Sequence, residues 1–148
     1  MTSPNSSVDP RVAVRRITPA DDGYQYFFGY YDSPAFSGDG RHHLVNRVAF
    51  RDRLPAATDT SELCHIDLTA AEPAVTPFAR TAAWNFQQGS LLQWYPEGSS
   101  ESVLYNDWDG NSYRTVIRNL RTGQARSFDR PVANVSPEEH AVFAKEFY

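Results

Sequence analysis

The chain has little of what usually announces chemistry or a membrane. It holds one cysteine and one methionine in 148 residues. A single thiol, Cys64, makes no internal disulfide and has no second cysteine with which to hold zinc. It falls in a strand-like run from Glu62 to Leu68, where it reads as a small buried hydrophobe. No stretch approaches the roughly 18 apolar residues of a membrane helix. The first sixteen residues are polar and end in Arg15-Arg16, with no apolar signal-peptide core behind them. These features predict a soluble, cytoplasmic protein with no membrane partner.

A basic face is also lacking. Fourteen Lys and Arg against eighteen Asp and Glu give a net charge of −4. The densest basic features are Arg15-Arg16 and the run from Arg47 to Arg53. Nucleic acid needs a concentrated basic surface to release its counterions, so a nucleic-acid partner is not expected.

Complete catalytic motifs are missing as well. The four histidines are His42, His43, His65 and His140. His42 and His43 are neighbours in a strand-like run and so point to opposite faces; His65 stands in the same relation to Cys64. There is no His-x-His, His-x-x-x-His or Cys-x-x-Cys, and no metal site or cofactor is expected within this chain. Ser90 follows Gly89, but Gly-x-Ser-x-Gly is absent, as are a P-loop and a dinucleotide fingerprint. Asp32 and Asp107 form a conceivable carboxylate pair for glycosidase-type chemistry, whose spacing the sequence leaves open.

What the chain does have is aromatics, at 14%, mostly Tyr and Phe, with few leucines. Such side chains suit half-buried pleated surfaces. Turn chemistry recurs at short intervals: Ser37-Gly38-Asp39-Gly40, Pro96-Glu97-Gly98-Ser99, Asp109-Gly110-Asn111 and Arg121-Thr122-Gly123. Between the turns lie runs with strand character: 24–31, 42–50, 62–68, 90–95, 102–105, 113–120, 124–128, 132–135 and 141–147. Residues 137–145 also fit a short helix, with Ser136 as N-cap and Pro137 at its first position. Residues 1–10 read as a disordered tail. Many short strands with regular turns predict an all-β fold.

A weak internal repeat narrows the choice. The segment Phe36 to Leu44 aligns with Tyr95 to Val103, and both resemble Val135 to Val142. Each runs from a hydrophobe through a polar turn into a strand. The turns at 37, 96 and 136 are 59 and 40 residues apart, against about 40 to 50 residues for a propeller blade. The longer interval has room for an inserted loop.

A Ser-x-Asp-Gly-Arg turn leading into a strand, followed by Ile66-Asp67-Leu68, resembles the blades of TolB-like β-propellers, a group that includes the oligogalacturonate-lyase-like propellers. The strings Phe28-Gly29-Tyr30-Tyr31-Asp32, Trp84 to Gly89 and Leu92-Gln93-Trp94 are similar to the N-terminal part of a bacterial family within that group. The resemblance covers about 27–142. It implies antiparallel four-stranded blades of an incomplete β-propeller: blade one at about 24–83, blade two at about 84–130 and the start of a third at 131–148. A propeller closes with about four to eight blades. The chain therefore reads as a fragment, or as one that closes by self-association through open blade edges.

Propeller topology places the Arg51–Ser61 and Asn106–Asn111 loops on one face, together with the connection Trp84 to Gly89. The candidate ligand-binding residues gathered there are Tyr31, Asp32, Arg53, Gln87, Gln88, Asn106 and Asp107. Amides, carboxylates and rings suit a polar or sugar ligand. Plainer readings stand beside this one. Trp84 and Trp94 fit blade core, Gln87 and Gln88 fit ties between blades, Asp32 and Asp107 fit turn caps, and Asp52-Arg53 fits a solvated loop ion pair. The resemblance also implies an alternative: part of a polysaccharide lyase that cleaves acidic oligosaccharides with a metal held by His and Gln. No position in this chain matches those ligands, and no catalytic residue is assigned. The expected function is binding, of a carbohydrate-like ligand or a protein partner.

Overall fold

The structure is a computed structural model, and it describes residues 12–30, 33–72, 74–96, 99–135 and the backbone of 142–144. The tail at 1–10, the turn of the third repeat and the alternative helix cap at 136–137 lie outside the described residues.

The fold is all-β, and no helix occurs among the described residues. Sheet one is a four-stranded antiparallel meander of β1 (Gln25–Phe27), β2 (His42–Val48), β3 (Ser61–Asp67) and β4 (Ala74–Thr81). Sheet two repeats that order with β5 (Gln93–Trp94), β6 (Ser102–Trp108), β7 (Tyr113–Asn119) and β8 (Ala125–Phe128). A hairpin of β9 (Val132–Val135) and β10 (Val142–Ala144) follows.

Local chemistry fixes the turns. The Ser37 hydroxyl donates to Asp39 at 2.6 Å and accepts the His42 amide at 2.9 Å, so one side chain closes the turn into β2. Asp67 accepts the Thr69 amide at 2.8 Å after β3. Asn119 does the same work after β7, accepting the amides of Arg121 and Thr122 at 3.0 and 2.8 Å. These Asx turns satisfy backbone donors that the strands leave behind.

The central strand pairs of the two sheets, β2–β3 and β6–β7, are equivalent residue by residue, in a register one step from the sequence alignment. His42 pairs with Asp67, and Ser102 pairs with Asn119, so these sites correspond. The Leu68 amide donates to the Arg41 carbonyl, and the Leu120 amide to that of Glu101, each at 2.8 Å. Leu44 thus matches Leu104, not Val103, and Asn46 matches Asn106. The turn before β6 is two residues longer than the turn before β2, between the paired Trp94 and Val103 against Phe36 and His43. β6 therefore sits one residue off the alignment, and a one-residue slip moves every side chain to the other face.

That register sets the core. Leu44 and Leu63 of sheet one meet Leu92, Trp94, Val103, Tyr105 and Val116 of the second unit. On its far side, sheet two buries Leu104 and Ile117 against Val132 and Val135. Each fully buried Leu or Val contributes about 1.5–3 kcal/mol. Cys64 is fully buried beside Val45 and Ile66, and burial pushes its thiol up to about 12. It is a core residue, not a nucleophile.

Four strand assignments change. β4 has no counterpart among the expected strands, because Pro77 and the alanines hide it. It lies at the sheet edge, where a missing amide is tolerated. Leu63 pairs with Ala79 and Cys64 with Pro77, which leaves Phe78 as the extra residue of a bulge. Phe78 turns inward to His65 and Tyr105. The run at 24–31 stops at Phe27, because the chain turns away at Gly29 with φ 110°. The run at 90–95 shrinks to Gln93–Trp94, because Leu91 takes φ 54°. β6 continues to Trp108, so Asn106 and Asp107 are strand residues rather than loop residues.

Candidate functional site

A cavity of about 540 Å³ opens where the link into sheet two meets sheet two and β9. That volume is ordinary for a small-molecule site. Its floor is the segment Asn85 to Leu91. Asn85 and Gly89 exchange two backbone hydrogen bonds at 3.2 and 2.9 Å. The Asn85 carboxamide oxygen accepts the amides of Gln87 and Gln88 at 2.9 and 2.8 Å. Gly89 adopts φ 59° and Leu91 φ 54°. A non-glycine residue held in the left-handed region costs energy that the surrounding structure must offset. The segment is therefore a fixed loop with its shape set in advance.

Two close approaches explain why glycine stands at 29 and 89. A Cβ on Gly29 would meet the Gln88 carbonyl oxygen at 2.9 Å, and one on Gly89 would meet the Asn46 amide nitrogen at 2.7 Å. Gly29 thus lets the excursion after β1 lie against the floor of the cavity. Tyr30 and Ser33 bring that excursion to the cavity wall.

Asn106 forms the back wall, with its amide fully engaged. Its Nδ2 donates to the Val132 carbonyl at 2.9 Å, and its Oδ1 accepts the Val132 amide at 2.8 Å. Asn46, its counterpart in sheet one, accepts the Ser90 hydroxyl at 3.3 Å. The Asn46 Nδ2 is buried with no partner among the described residues. The two asparagines each reach into the segment that begins the next unit.

The remaining candidates separate. Gln88 lines the cavity, and its side-chain amide has no partner among the described residues. Gln87 is exposed and does not line it. Asp107 points to the opposite face of sheet two from Asn106, where Arg114 Nη2 donates to it at 2.8 Å beside a separate groove. Arg53 lies away from the cavity. It pairs with Asp59 at 2.5 Å, not with Asp52, and its guanidinium sits 3.7 Å above the Phe50 ring. The Arg53 hydrogen bond holds the Asp59 carboxyl down at about 2. Tyr31 and Asp32 lie outside the described residues.

The tryptophans divide in the same way. Trp94 is 2% exposed and donates to the Ala35 carbonyl at 3.1 Å, a core role. Trp84 donates to the Asp59 carbonyl at 3.0 Å and packs with Phe27, Phe50 and Phe86, yet part of it reaches the cavity.

Sequence reasoning missed Asn134 and Tyr113, which both line the cavity. Asn134 Oδ1 accepts the Val135 amide at 2.8 Å, and its Nδ2 has no partner among the described residues. Tyr113 was legible only as the first residue of a strand. Among the described residues no group of three or more His, Cys, Asp or Glu is placed to hold a metal ion. Comparison of the chain with protein-family models, curated proteins and solved structures finds no match.

Proposed function

We propose that the two meanders are consecutive blades of a β-propeller and that the chain is a binding module whose ligand occupies the cavity above Asn85–Leu91. Three features support the blade reading. The sheets share one strand order. They stack so that the Leu44 face of one meets the Val103 face of the next. A further hairpin then docks on the Leu104 face. Self-association through sheet edges belongs to the same reading.

The observation that carries the binding reading is the prearranged loop. It holds its own backbone by hydrogen bonds and leaves the Gln88 side-chain amide without a partner among the described residues at a cavity of about 540 Å³. A site fixed before binding avoids the entropy of ordering a loop around its ligand. Its ligand is polar and small, in the class of carbohydrates.

The test is a ligand-observed NMR screen of small polar compounds against the whole chain, repeated with Gln88→Ala and Asn134→Ala. Hits that vanish in both variants, with the fold unchanged by circular dichroism, support the reading. An absence of hits, or hits indifferent to both substitutions, overturns it.

A further inference from the structure

The hairpin beside the cavity carries two large rings that the core does not use. Trp108 and Tyr113 are a cross-strand pair at the end of β6 and β7, with ring centroids 4.8 Å apart. They are 37% and 51% exposed. Alternation along β6 puts Trp108 on the same side as Asn106, and Tyr113 lines the cavity. A cross-strand aromatic pair stabilises its hairpin, but that role does not require the Tyr113 ring to line a polar cavity.

The charge of the cavity wall is equally informative. Among the described residues lining it there is no Lys, Arg, His, Asp or Glu. Asp107 and Arg114, the nearest pair along the strands, face the other way. An anion entering such a site would lose its hydration and find no cation in return among the described lining residues. What the wall offers is the amide of Gln88 and the Nδ2 of Asn134, each without a partner among the described residues and suited to hydroxyls. Asn106 contributes shape only, since both ends of its amide hold Val132.

We infer that the cavity takes a neutral, hydroxyl-rich sugar ring, without carboxylate or phosphate, packed against the Tyr113–Trp108 pair and hydrogen-bonded by Gln88 and Asn134. This inference rests on the cavity being a ligand site, and it adds the chemical class. The apolar face of the ring covers Tyr113, while the hydroxyls at its edge reach the two amides. Tyr113 is thus a binding residue with Trp108 stacked on it, and a wall with no cation among its described residues selects against uronates.

The test titrates the whole chain with a panel of neutral methyl hexopyranosides and with the matching uronates, by calorimetry and Trp fluorescence. The expected result is that at least one neutral sugar binds and its uronate binds at least tenfold more weakly. Tyr113→Ala should weaken that sugar at least tenfold, whereas Tyr113→Phe keeps it. Gln88→Ala, in an exposed loop, gives a second variant that leaves the hairpin untouched. Trp84→Phe and Trp108→Phe together should remove most of the fluorescence change, since Trp84 lines the cavity and Trp94 is buried. Uronates binding as well as neutral sugars, or a neutral sugar indifferent to Tyr113→Ala and Gln88→Ala, overturns the inference. Failure of every sugar also overturns it. A non-sugar ligand found in the broader screen would leave the binding reading standing without this one.

Discussion

Asn106 and Val132 exchange two hydrogen bonds, the side-chain amide of one gripping both backbone groups of the other at 2.9 and 2.8 Å. Asn46 holds the equivalent place in sheet one and makes only one such contact, to a hydroxyl. Asn106→Ala leaves a buried N–H and a buried C=O unmet, each a desolvation cost. It should destabilise the protein by about 2–4 kcal/mol. Asn46→Ala removes an amide nitrogen that is already unpaired, so it should cost less than half as much. Denaturant midpoints of the two variants decide this. Equal losses would show that the bonds to Val132 are not what matters at this position.

The glycines supply a second comparison. Gly29→Ala combines φ 110° with a Cβ placed 2.9 Å from the Gln88 carbonyl oxygen. Gly110→Ala has φ 98° but open space around it. Strain alone should cost the second about 1–2 kcal/mol. The first should cost more, and it should also disturb the cavity floor. Hydrogen exchange at the Gly89 and Leu91 amides, whose acceptors are the carbonyls of Asn85 and Gln88, would rise in Gly29→Ala and stay unchanged in Gly110→Ala.

Acid should loosen the fold through its histidines. Burial pushes His43 and His65 below their ordinary value of 6.5, with His42 adding to the effect at His65. His43 lies against Phe28 and Phe36, while His65 lies against Phe78 and His42 with Asp67 nearby. Both rings are neutral in the fold and charge more readily in the unfolded chain. Their contribution to stability is therefore full above about 6.5 and falls away as pH drops through the lower folded values. Urea midpoints should decrease from pH 7 to pH 5, and His65→Phe should flatten that slope. An unchanged slope would remove His65 from the account.

A further acid limb belongs to Asp59. The Arg53 hydrogen bond lowers its carboxyl from 3.8 to about 2. A depressed carboxylate stabilises the fold above the ordinary value and loses that effect as pH falls from about 4 to about 2. The Asp59 carboxyl resonance, followed by NMR, should titrate in that lower range. In Arg53→Ala it should return towards the ordinary value.

The equivalent ion pairs of the two sheets are reversed in charge. Arg47 pairs with Glu62 across β2 and β3, and Asp107 pairs with Arg114 at the same register across β6 and β7. The register needs opposite charges there, in either order. Asp107→Arg alone sets like charges opposite each other and should cost about 1 kcal/mol. Adding Arg114→Asp should recover at least half of that, and a double-mutant cycle measures the recovery. A double variant no better than the single would make the pair incidental.

The sheets were legible because turn residues and β-branched runs follow local rules. Ser37, Asp67 and Asn119 close their turns with their own side chains, so sequence locates them. β4 was not legible, since an edge strand with Pro77 at a bulge carries neither alternation nor β-branching. The register of the repeat failed by one residue because turns align by chemistry, whereas strands align by pairing. Of the candidate residues named from sequence, Gln88 and Asn106 line the cavity. Asp107 and Arg53 were drawn in by proximity in sequence, but strand alternation directs the first elsewhere and the bond to Asp59 the second; Gln87 is exposed and does not line the cavity. Asn134 and Tyr113 reach the cavity only through the stacking of successive units, which no local pattern records.

The grip of Asn106 on Val132 has a consequence for how such chains change over time. A side chain that holds a neighbour by its peptide group is indifferent to which residue that neighbour is. The hydrogen-bonded part of the joint then imposes no spelling on the strand that is held, and the Leu104 face asks only that Val132 and Val135 be apolar. Drift, duplication and exchange of whole units can proceed while the joint stays intact, and novelty can accumulate in the loops without renegotiating the joint.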